Sequence, residues 1–171
     1  MIQPEVIEMA SPLGPLRLVA DASALREVHM LHVADAPYAG EPPPRAVIEH
    51  PILRAAAVQL REYFEGARRH FELPLAAEGT AFQQRVWQAL REIPFGVTWS
   101  YGELASRVGD RNASRAVGSA NGRNPLAIVV PCHRVIGSKG ELTGFGGGMR
   151  NKRWLLDHEA RIAGKAPLRL F

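Results

Sequence analysis

The sequence predicts an α/β fold of the α+β type, with a small N-terminal sheet-plus-helix domain at 1–79 and a mainly helical C-terminal domain at 80–171. Short apolar segments typical of strands lie near the start of the chain, whereas apolar residues at helical spacing dominate the second half. The formal charge also changes sign. Residues 1–80 carry seven Arg against eleven acidic residues, and residues 81–171 carry fourteen Lys and Arg against six. A basic half is typical of a nucleic-acid surface, although solvated basic surfaces are common.

The N-terminal domain is predicted to begin with β structure over residues 2–33. Its two candidate strands are Leu16–Ala20 and Leu25–Val33. Over His50–Gly66 apolar residues recur at every fourth position, which predicts a helix that ends at a glycine. The segment Arg69–Leu75 is predicted to return as a short strand. Because no catalytic constellation is visible in this part of the chain, we predict that it has a supporting role.

Four helices are predicted in the C-terminal domain. Capping-box patterns at Thr80–Gln83 and Ser100–Glu103 begin the first two, because side chain and backbone of each pair satisfy exposed amides. The third helix covers about 113–122 and the fourth about 149–162. The second and third are joined by a short turn that contains glycine, which predicts a winged helix-turn-helix-like DNA-binding motif. This pattern alone does not establish DNA binding, since many helical hairpins bind nothing.

The only cysteine of the chain, Cys132, follows an apolar run at Ala127–Val130 that is predicted to be a buried strand. Pro131 would end that strand and leave Cys132 at its mouth. A free cysteine is most often a small buried apolar residue. Here His133 and Arg134 would place positive charge beside the thiol and favour the reactive thiolate.

The segment Pro131–Val135, Pro-Cys-His-Arg-Val, follows Asn124-Pro125 and precedes the glycine-rich segment Gly144–Gly148. Together these residues resemble the active-site region of the O6-alkylguanine-DNA alkyltransferases, and the resemblance extends over about Thr80–Glu159. It implies that Cys132 takes the alkyl group of O6-methylguanine, and of O4-methylthymine, in duplex DNA and keeps it. Each molecule would then act once, as a methylated-DNA–[protein]-cysteine S-methyltransferase. A thiolate suits this reaction, because a soft nucleophile must attack the alkyl carbon.

The resemblance also implies which groups move the proton. His133 would act on the cysteine through a bound water and would be oriented by Glu159, which lies in the segment Trp154–Glu159. A carboxylate on an apolar helix face needs a partner, and His133 would supply one. Asn124 would brace the turn that carries the active site. The implied catalytic set is therefore Cys132, His133, Glu159 and Asn124.

Contacts to DNA and to the damaged base follow from the same resemblance. Arg115 matches the arginine that occupies the base stack when the nucleotide is flipped through the minor groove, and Tyr101 matches the tyrosine that helps rotate it. The carbonyls of Cys132 and Val135 would accept hydrogen bonds from the guanine amino group, and the amide of Gly146 would face the guanine oxygen.

Small residues surround Arg115 in its predicted helix. Ser114, Ala116 and Gly118 allow close approach to DNA but carry little base information. Packing between helices explains small residues equally well, so the two interpretations stay open.

The chain departs from the family pattern in its pocket wall and in its cysteines. The glycine-rich segment Gly144–Gly148 would form one wall of the substrate pocket, and Phe145 stands where the family frequently has tyrosine. Some family members bind a structural zinc through cysteines and histidines, and this chain lacks those cysteines. We therefore expect no metal and no cofactor.

The expected partner is double-stranded DNA that bears O6-alkylguanine. No apolar run approaches the length of a membrane span, and no signal peptide pattern is present, so no membrane partner is expected. A single cysteine allows no intramolecular disulfide and fits a reducing cytoplasm. We expect a monomer in solution, and the sequence leaves cooperative binding along DNA open.

Two other functions compete with this prediction. A damage-recognition module would bind DNA and recruit other factors without chemistry, but such a protein has no need of Cys132. A cysteine hydrolase would need an oxyanion site and a histidine placed apart in the sequence, whereas His133 is adjacent to the cysteine. Turnover distinguishes the hydrolase, since an alkyltransferase yields at most one product per molecule.

Overall fold

The computed structural model of the protein describes residues 3–143 and 145–171, so that Gly144 of the predicted pocket wall lies outside the described residues. In chain order the elements are β1 (Glu5–Met9), β2 (Leu16–Ala20), β3 (Leu25–Met30), α1 (Pro51–Phe64), α2 (Ala81–Leu90), β4 (Trp99–Ser100), α3 (Tyr101–Val108), α4 (Ser114–Gly122), a 3-10 helix (Cys132–Arg134), β5 (Val135–Ile136) and α5 (Met149–Ile162). A sheet and one helix thus precede a mainly helical region, which confirms the predicted fold class.

The first three strands form an antiparallel sheet with β2 in the middle. The start of β2 has the alternation of a half-buried strand, because Leu16 and Leu18 are buried and Arg17 between them is exposed. Helix α1 packs against β2 and β3. Its buried face includes Leu53 and Leu60, which lie two turns apart.

Both predicted capping boxes are present. The Thr80 hydroxyl accepts from the Gln83 amide at 3.1 Å, and the Gln83 side chain accepts from the Thr80 amide at 2.9 Å. Ser100 and Glu103 repeat this exchange at the start of α3. Helices α2, α3 and α4 pack against one another, and the short turn between α3 and α4 completes the helix-turn-helix.

The predicted strand at Ala127–Val130 is wrong. This segment is a buried turn in which Ile128 has a φ of 72° and the Val130 amide donates to the Leu126 carbonyl at 2.9 Å. Because the amides of Val129 and Val130 are used within the turn, the segment does not continue as a strand ladder. A short apolar run indicates burial but does not distinguish a strand from a covered turn. Cys132 therefore begins a 3-10 helix and does not lie at the mouth of a strand.

The predicted strand at Arg69–Leu75 is also wrong. Only Leu75 forms an isolated parallel bridge, with Leu25. Pro74 has no amide proton, and its carbonyl accepts from the Leu25 amide at 2.7 Å. This segment therefore pairs with the edge of the sheet through a single bridge next to a proline.

The sheet is connected directly to the turn that precedes the cysteine. The Val28 amide donates to the Pro125 carbonyl at 2.9 Å, and the Ala127 amide donates to the Val28 carbonyl at 3.2 Å. Buried apolar residues of the sheet, α1 and the C-terminal helices belong to a single cluster. The N-terminal elements therefore support the segment that carries Cys132.

Candidate active site

Cys132 begins the 3-10 helix, and only 5% of its surface is exposed. Two asparagines hold this part of the chain. The Asn124 side chain donates to the Val130 carbonyl at 2.8 Å and accepts from the Leu126 amide at 3.0 Å. Asn121 of α4 donates from Nδ2 to the Cys132 carbonyl at 3.3 Å. The thiol position is thus connected both to the preceding turn and to α4.

The carboxylate of Glu159 is the centre of a buried hydrogen-bond network. Its Oε2 lies 2.7 Å from His133 Nε2 and accepts from the Tyr63 hydroxyl at 2.6 Å. Arg134 binds both oxygens, with Nε 2.7 Å from Oε1 and Nη2 3.1 Å from Oε2. The Gly96 amide donates to Oε1 at 3.3 Å. His133 and Glu159 are fully buried, so this network is shielded from solvent.

The network holds Glu159 ionised and His133 neutral. Burial raises the pKa of Glu159, but His133 and Arg134 outweigh that effect and hold this pKa well below its usual value. Burial lowers the pKa of His133. The Glu159 charge opposes this decrease, whereas the Arg134 and Lys152 charges reinforce it. In a neutral imidazole whose Nε2 faces a carboxylate, Nε2 carries the proton. Nδ1 is left as an acceptor, and it has no hydrogen-bond partner among the described residues.

The cysteine itself is a thiol in this environment. Burial raises the pKa of Cys132, while the Asn124 side chain and the Lys152 charge oppose the increase. The predicted lowering of this pKa by His133 and Arg134 is wrong, because the histidine is held neutral and the guanidinium is paired with a carboxylate. Chemistry through a thiolate therefore needs a base that removes the proton.

Lys152 of α5 is a buried cation beside this site. Its Nζ donates to the Val135 carbonyl and, at 3.0 Å, to the Thr143 carbonyl. It also lies 6.0 Å from the centre of the Phe145 ring. Burial lowers the pKa of Lys152 to about 8. The Val135 carbonyl, expected to face guanine, thus accepts one hydrogen bond already and keeps a second lone pair.

Thr143, directly before the pocket-wall segment, and Gly146 within it lie against three helices. The Tyr101 hydroxyl, at the start of α3, donates at 3.0 Å to the Thr143 carbonyl that Lys152 also contacts. Gly146 is exposed, and a Cβ at this position would lie 3.3 Å from the Gly122 carbonyl at the end of α4. The wall is therefore placed between the helix-turn-helix and α5.

One side of α4 combines a long cation with small residues. Arg115 and Ala116 are exposed, and Arg115 makes no hydrogen bond or ion pair within the part of the chain that the structure describes. Ser114 and Gly118 are half-buried, and a Cβ at Gly118 would lie 3.6 Å from the Tyr101 ring. Gly118 thus contributes to packing between α3 and α4, whereas Arg115 and Ala116 are open to a partner.

Two sequence profiles of known families match this chain. The profile of the 6-O-methylguanine DNA methyltransferase ribonuclease-like domain matches residues 7–77, and the profile of the DNA binding domain of the same protein matches residues 81–161. The chain belongs to the 6-O-methylguanine DNA methyltransferase family. The resemblance expected from the sequence is confirmed.

Several relatives in this family are similar over nearly the whole chain. The methylated-DNA–protein-cysteine methyltransferase of Mycobacterium bovis is 48% identical over 163 residues, which are 94% of each chain. The protein of the same name from Methanosarcina acetivorans is 47% identical over 149 residues, 87% of this chain and 94% of its own. The crystal structure of Mycobacterium tuberculosis OGT in complex with DNA is 46% identical, with a TM-score of 0.79 over 95% of this chain and 94% of that one.

Three side chains of this methyltransferase-family site were missed from the sequence: Tyr63, Asn121 and Lys152. Lys152 had a detectable signal, because it lies on the same face of α5 as Leu155 and Glu159, three and seven residues later. Tyr63 had none, since it is 96 residues from Glu159 in the sequence. Asn121 had only a weak signal, as one buried polar residue in a helix of small ones.

The described part of the chain contains neither a candidate metal site nor a membrane-spanning helix. Within residues 3–143 and 145–171 no group of three or more His, Cys, Asp or Glu side chains is placed to hold a metal ion. None of the helices in the same residues has the length and apolar character needed to cross a bilayer.

Proposed function

We propose that this chain repairs O6-methylguanine in duplex DNA by a single, irreversible transfer of the methyl group to Cys132. One observation carries the proposal: a buried Cys132 precedes a neutral His133, whose Nε2 lies 2.7 Å from the ionised Glu159. Family membership supports the same activity, since relatives 45–48% identical to this chain are methylated-DNA–protein-cysteine methyltransferases.

The reaction begins with removal of the thiol proton. Consecutive side chains of the 3-10 helix point about 120° apart, so a water molecule carries the proton from Cys132 to Nδ1 of His133, the ring nitrogen that faces away from Glu159. The ionised carboxylate stabilises the imidazolium that results. Arg134 keeps Glu159 ionised throughout, so the proton stays on the imidazole and does not pass to the carboxylate.

The thiolate then attacks the methyl carbon in line with its bond to the guanine oxygen. The sulfur–carbon bond forms, the carbon–oxygen bond breaks, and its electron pair remains on guanine. The imidazolium of His133 returns its proton to guanine through the same water. The product is a thioether on Cys132, and none of the described groups around it regenerates the thiol, so each molecule acts once.

The pocket recognises guanine mainly through backbone atoms. The carbonyls of Cys132 and Val135 accept hydrogen bonds from the guanine amino group, using the lone pairs left free by Asn121 and Lys152. The Gly146 amide faces the guanine oxygen, and Tyr101 contacts the ring. Asn124 keeps the cysteine turn in place. O4-methylthymine is accepted more slowly, because thymine has no amino group for the two carbonyls.

Access to the base requires that the nucleotide leave the helix. We propose that α4 docks in the minor groove and that Arg115 takes the space of the flipped nucleotide. The exposure of Arg115 and Ala116 supports this role, since nothing in the described residues covers them. The basic charge of residues 81–171 attracts the phosphate backbone.

The remaining assignments concern organisation and compartment. We propose a supporting domain at 1–79 and a DNA-binding, alkyl-accepting domain at 80–171, divisions close to the ranges that the two family profiles match. We further propose that the protein acts as a monomer in a reducing cytoplasm, where the single cysteine stays available for transfer.

Intact-protein mass spectrometry tests this function. The protein is incubated with duplex DNA that contains O6-methylguanine, with the unmodified duplex and with Cys132→Ala as controls. We expect a gain of one CH₂ that maps to Cys132 and is absent from both controls. Binding of the modified duplex without any mass change would favour the damage-recognition module, and more than one demethylated guanine per protein would favour a hydrolytic enzyme.

A further inference from the structure

Tyr63 is a fully buried tyrosine near the end of α1. Its ring packs edge-on against Phe64, Phe95 and His158 and at a tilt against Phe71, with centroid distances from 5.3 to 6.1 Å. The Tyr63 carbonyl also contacts Nε2 of His158 at 2.8 Å. This aromatic cage holds the ring in one orientation, in which the hydroxyl enters the hydrogen-bond network of the active site.

The Tyr63 hydroxyl shares an acceptor atom with the histidine of the site. It donates at 2.6 Å to Oε2 of Glu159, and His133 Nε2 lies 2.7 Å from the same oxygen. Burial and the neighbouring carboxylate raise the pKa of Tyr63 well above its ordinary value. The phenol therefore keeps its proton and remains a donor over the working pH range.

We propose that Tyr63 is a positioning residue that sets the basicity of His133 through Glu159. The inference rests on the proposed function, in which His133 removes the proton of Cys132. It assigns a role in the reaction to α1, although the sequence predicted only support for this part of the chain.

The sign of the effect follows from the shared oxygen. A hydrogen bond from the phenol withdraws negative charge from Oε2, so that Glu159 stabilises the imidazolium form of His133 less than an unshared carboxylate would. Without the hydroxyl, Oε2 becomes a stronger acceptor, the bond from His133 strengthens and the pKa of His133 rises. A histidine with a higher pKa is protonated, and therefore inactive as a base, up to a higher pH.

Other charged and titratable groups face the same network, and a change confined to the phenol oxygen removes none of them. Four of these groups lie on two elements: His133 and Arg134 on the 3-10 helix, and Lys152 and His158 on α5. The other two are Lys165, which donates to the Gly96 carbonyl at 2.9 Å, and Arg69, which lies 5.2 Å from the Phe95 ring centre. A response to loss of the hydroxyl therefore reports on Tyr63 alone.

The test compares wild type with Tyr63→Phe and with a matched control, Tyr38→Phe. The Tyr38 hydroxyl is exposed and donates to the Glu41 carbonyl, away from the network. Single-turnover methyl transfer is measured as a function of pH, and the Nε2 proton of His133 is followed by NMR in the free protein. For Tyr63→Phe we expect a rate several-fold lower on the acid limb of the pH profile and little change near neutral pH, where His133 stays neutral in both proteins. The acid limb of the profile should lie at higher pH and the His133 proton should move downfield, whereas Tyr38→Phe should match wild type.

A second substitution predicts shifts of opposite sign. In 3-fluorotyrosine at position 63 the phenol is more acidic and a stronger donor, so the acid limb should move to lower pH and the His133 proton upfield. This protein keeps both ring and hydroxyl, so it decides the question even where Tyr63→Phe does not fold. An acid limb and a His133 signal that neither substitution moves would overturn the inference. If wild type transfers no methyl group, the NMR signal alone tests the coupling, and failure of the proposed function is recognised separately.

Discussion

Arg134 and Glu159 form a buried, bidentate ion pair in which Arg134 Nε lies 2.7 Å from Oε1 and Nη2 lies 3.1 Å from Oε2. The third guanidinium nitrogen, Nη1, donates to the Ile93 carbonyl at 2.7 Å. Each of the three guanidinium nitrogens therefore donates one hydrogen bond. Without this guanidinium, only neutral groups would donate hydrogen bonds to the buried Glu159 carboxylate, and a buried charge without a counterion is costly.

Replacement of Arg134 by methionine should lower the free energy of unfolding by about 3–5 kcal/mol, because it leaves the Glu159 carboxylate buried without its cation. Urea denaturation of wild type and variant measures the difference. Arg153→Met is the matched control, since Arg153 is exposed on α5 and its one hydrogen bond to the described residues is a long one to the Leu170 carbonyl. The control should stay within about 0.5 kcal/mol of wild type. Equal losses in both variants would contradict a structural ion pair.

Stability should decrease in acid in two steps. The pKa values of His133 and Glu159 both lie below their ordinary values of 6.5 and 4.5, so the unfolded chain binds more protons than the folded one. The histidine contribution is lost as pH falls below about 6.5 and the glutamate contribution as pH falls below about 4.5. Urea denaturation at a series of pH values measures both steps. Glu159→Gln should reduce the second step, to which Asp21 also contributes because hydrogen bonds from Ser23 lower its pKa, whereas Asp157→Asn, at an exposed position of α5, should leave the step unchanged.

Lys152 should cause the rate of methyl transfer to decrease at high pH, which gives the pH profile a basic limb. The pKa of Lys152 is lowered by burial to about 8, so its charge, which favours the Cys132 thiolate, fades as pH rises through that value. Transfer should therefore slow above about pH 8 in wild type. Lys152→Met should be slower at lower pH and should lack this limb. Rates of single-turnover transfer measure the effect, with the exposed Lys139→Met as control. A basic limb that persists in Lys152→Met would exclude this assignment.

Arg115→Ala should affect duplex DNA more than single strands. If the side chain replaces a flipped nucleotide, its loss restores the cost of unstacking, a few kcal/mol, and should slow transfer from duplex by about 10- to 100-fold. An unpaired O6-methylguanine is easier to extrude, so transfer from a single strand should change much less. Arg111→Ala, exposed in the turn before α4, controls for lost charge. A similar loss on both substrates would indicate an electrostatic contact in place of a stacking one.

Local chemistry explains why much of the fold was predictable. A capping box such as Thr80 with Gln83 is complete within four residues, so its hydrogen bonds are specified by the sequence and recur in the structure. Gly109 adopts a φ of 103° at the end of α3, a conformation that favours glycine. Helix α5 spans the predicted 149–162, since its apolar face repeats at helical spacing.

Nonlocal contacts explain what the sequence by itself could not determine. The run Ala127–Val130 is apolar enough for a strand, but only packing against the sheet and the neighbouring turns shows that it is a turn. Burial also determines the protonation state of Cys132. The adjacent cations predicted a lowered pKa for its thiol, whereas burial in the folded protein raises that pKa. Desolvation depends on which atoms cover a group in three dimensions, and the adjacent residues in the sequence do not show which atoms those are.

The sequence alone determined the family, the C-terminal helices with their two capping boxes and the adjacency of Cys132 to His133, because each of these depends on residues that are close together in the sequence. Only the tertiary structure decided which groups surround Glu159. Tyr63 reaches its carboxylate across 96 residues and Arg134 across 25, and no periodicity connects positions so far apart. The free energy that holds them together comes from burial and shared hydrogen bonds, which exist only once the chain has folded.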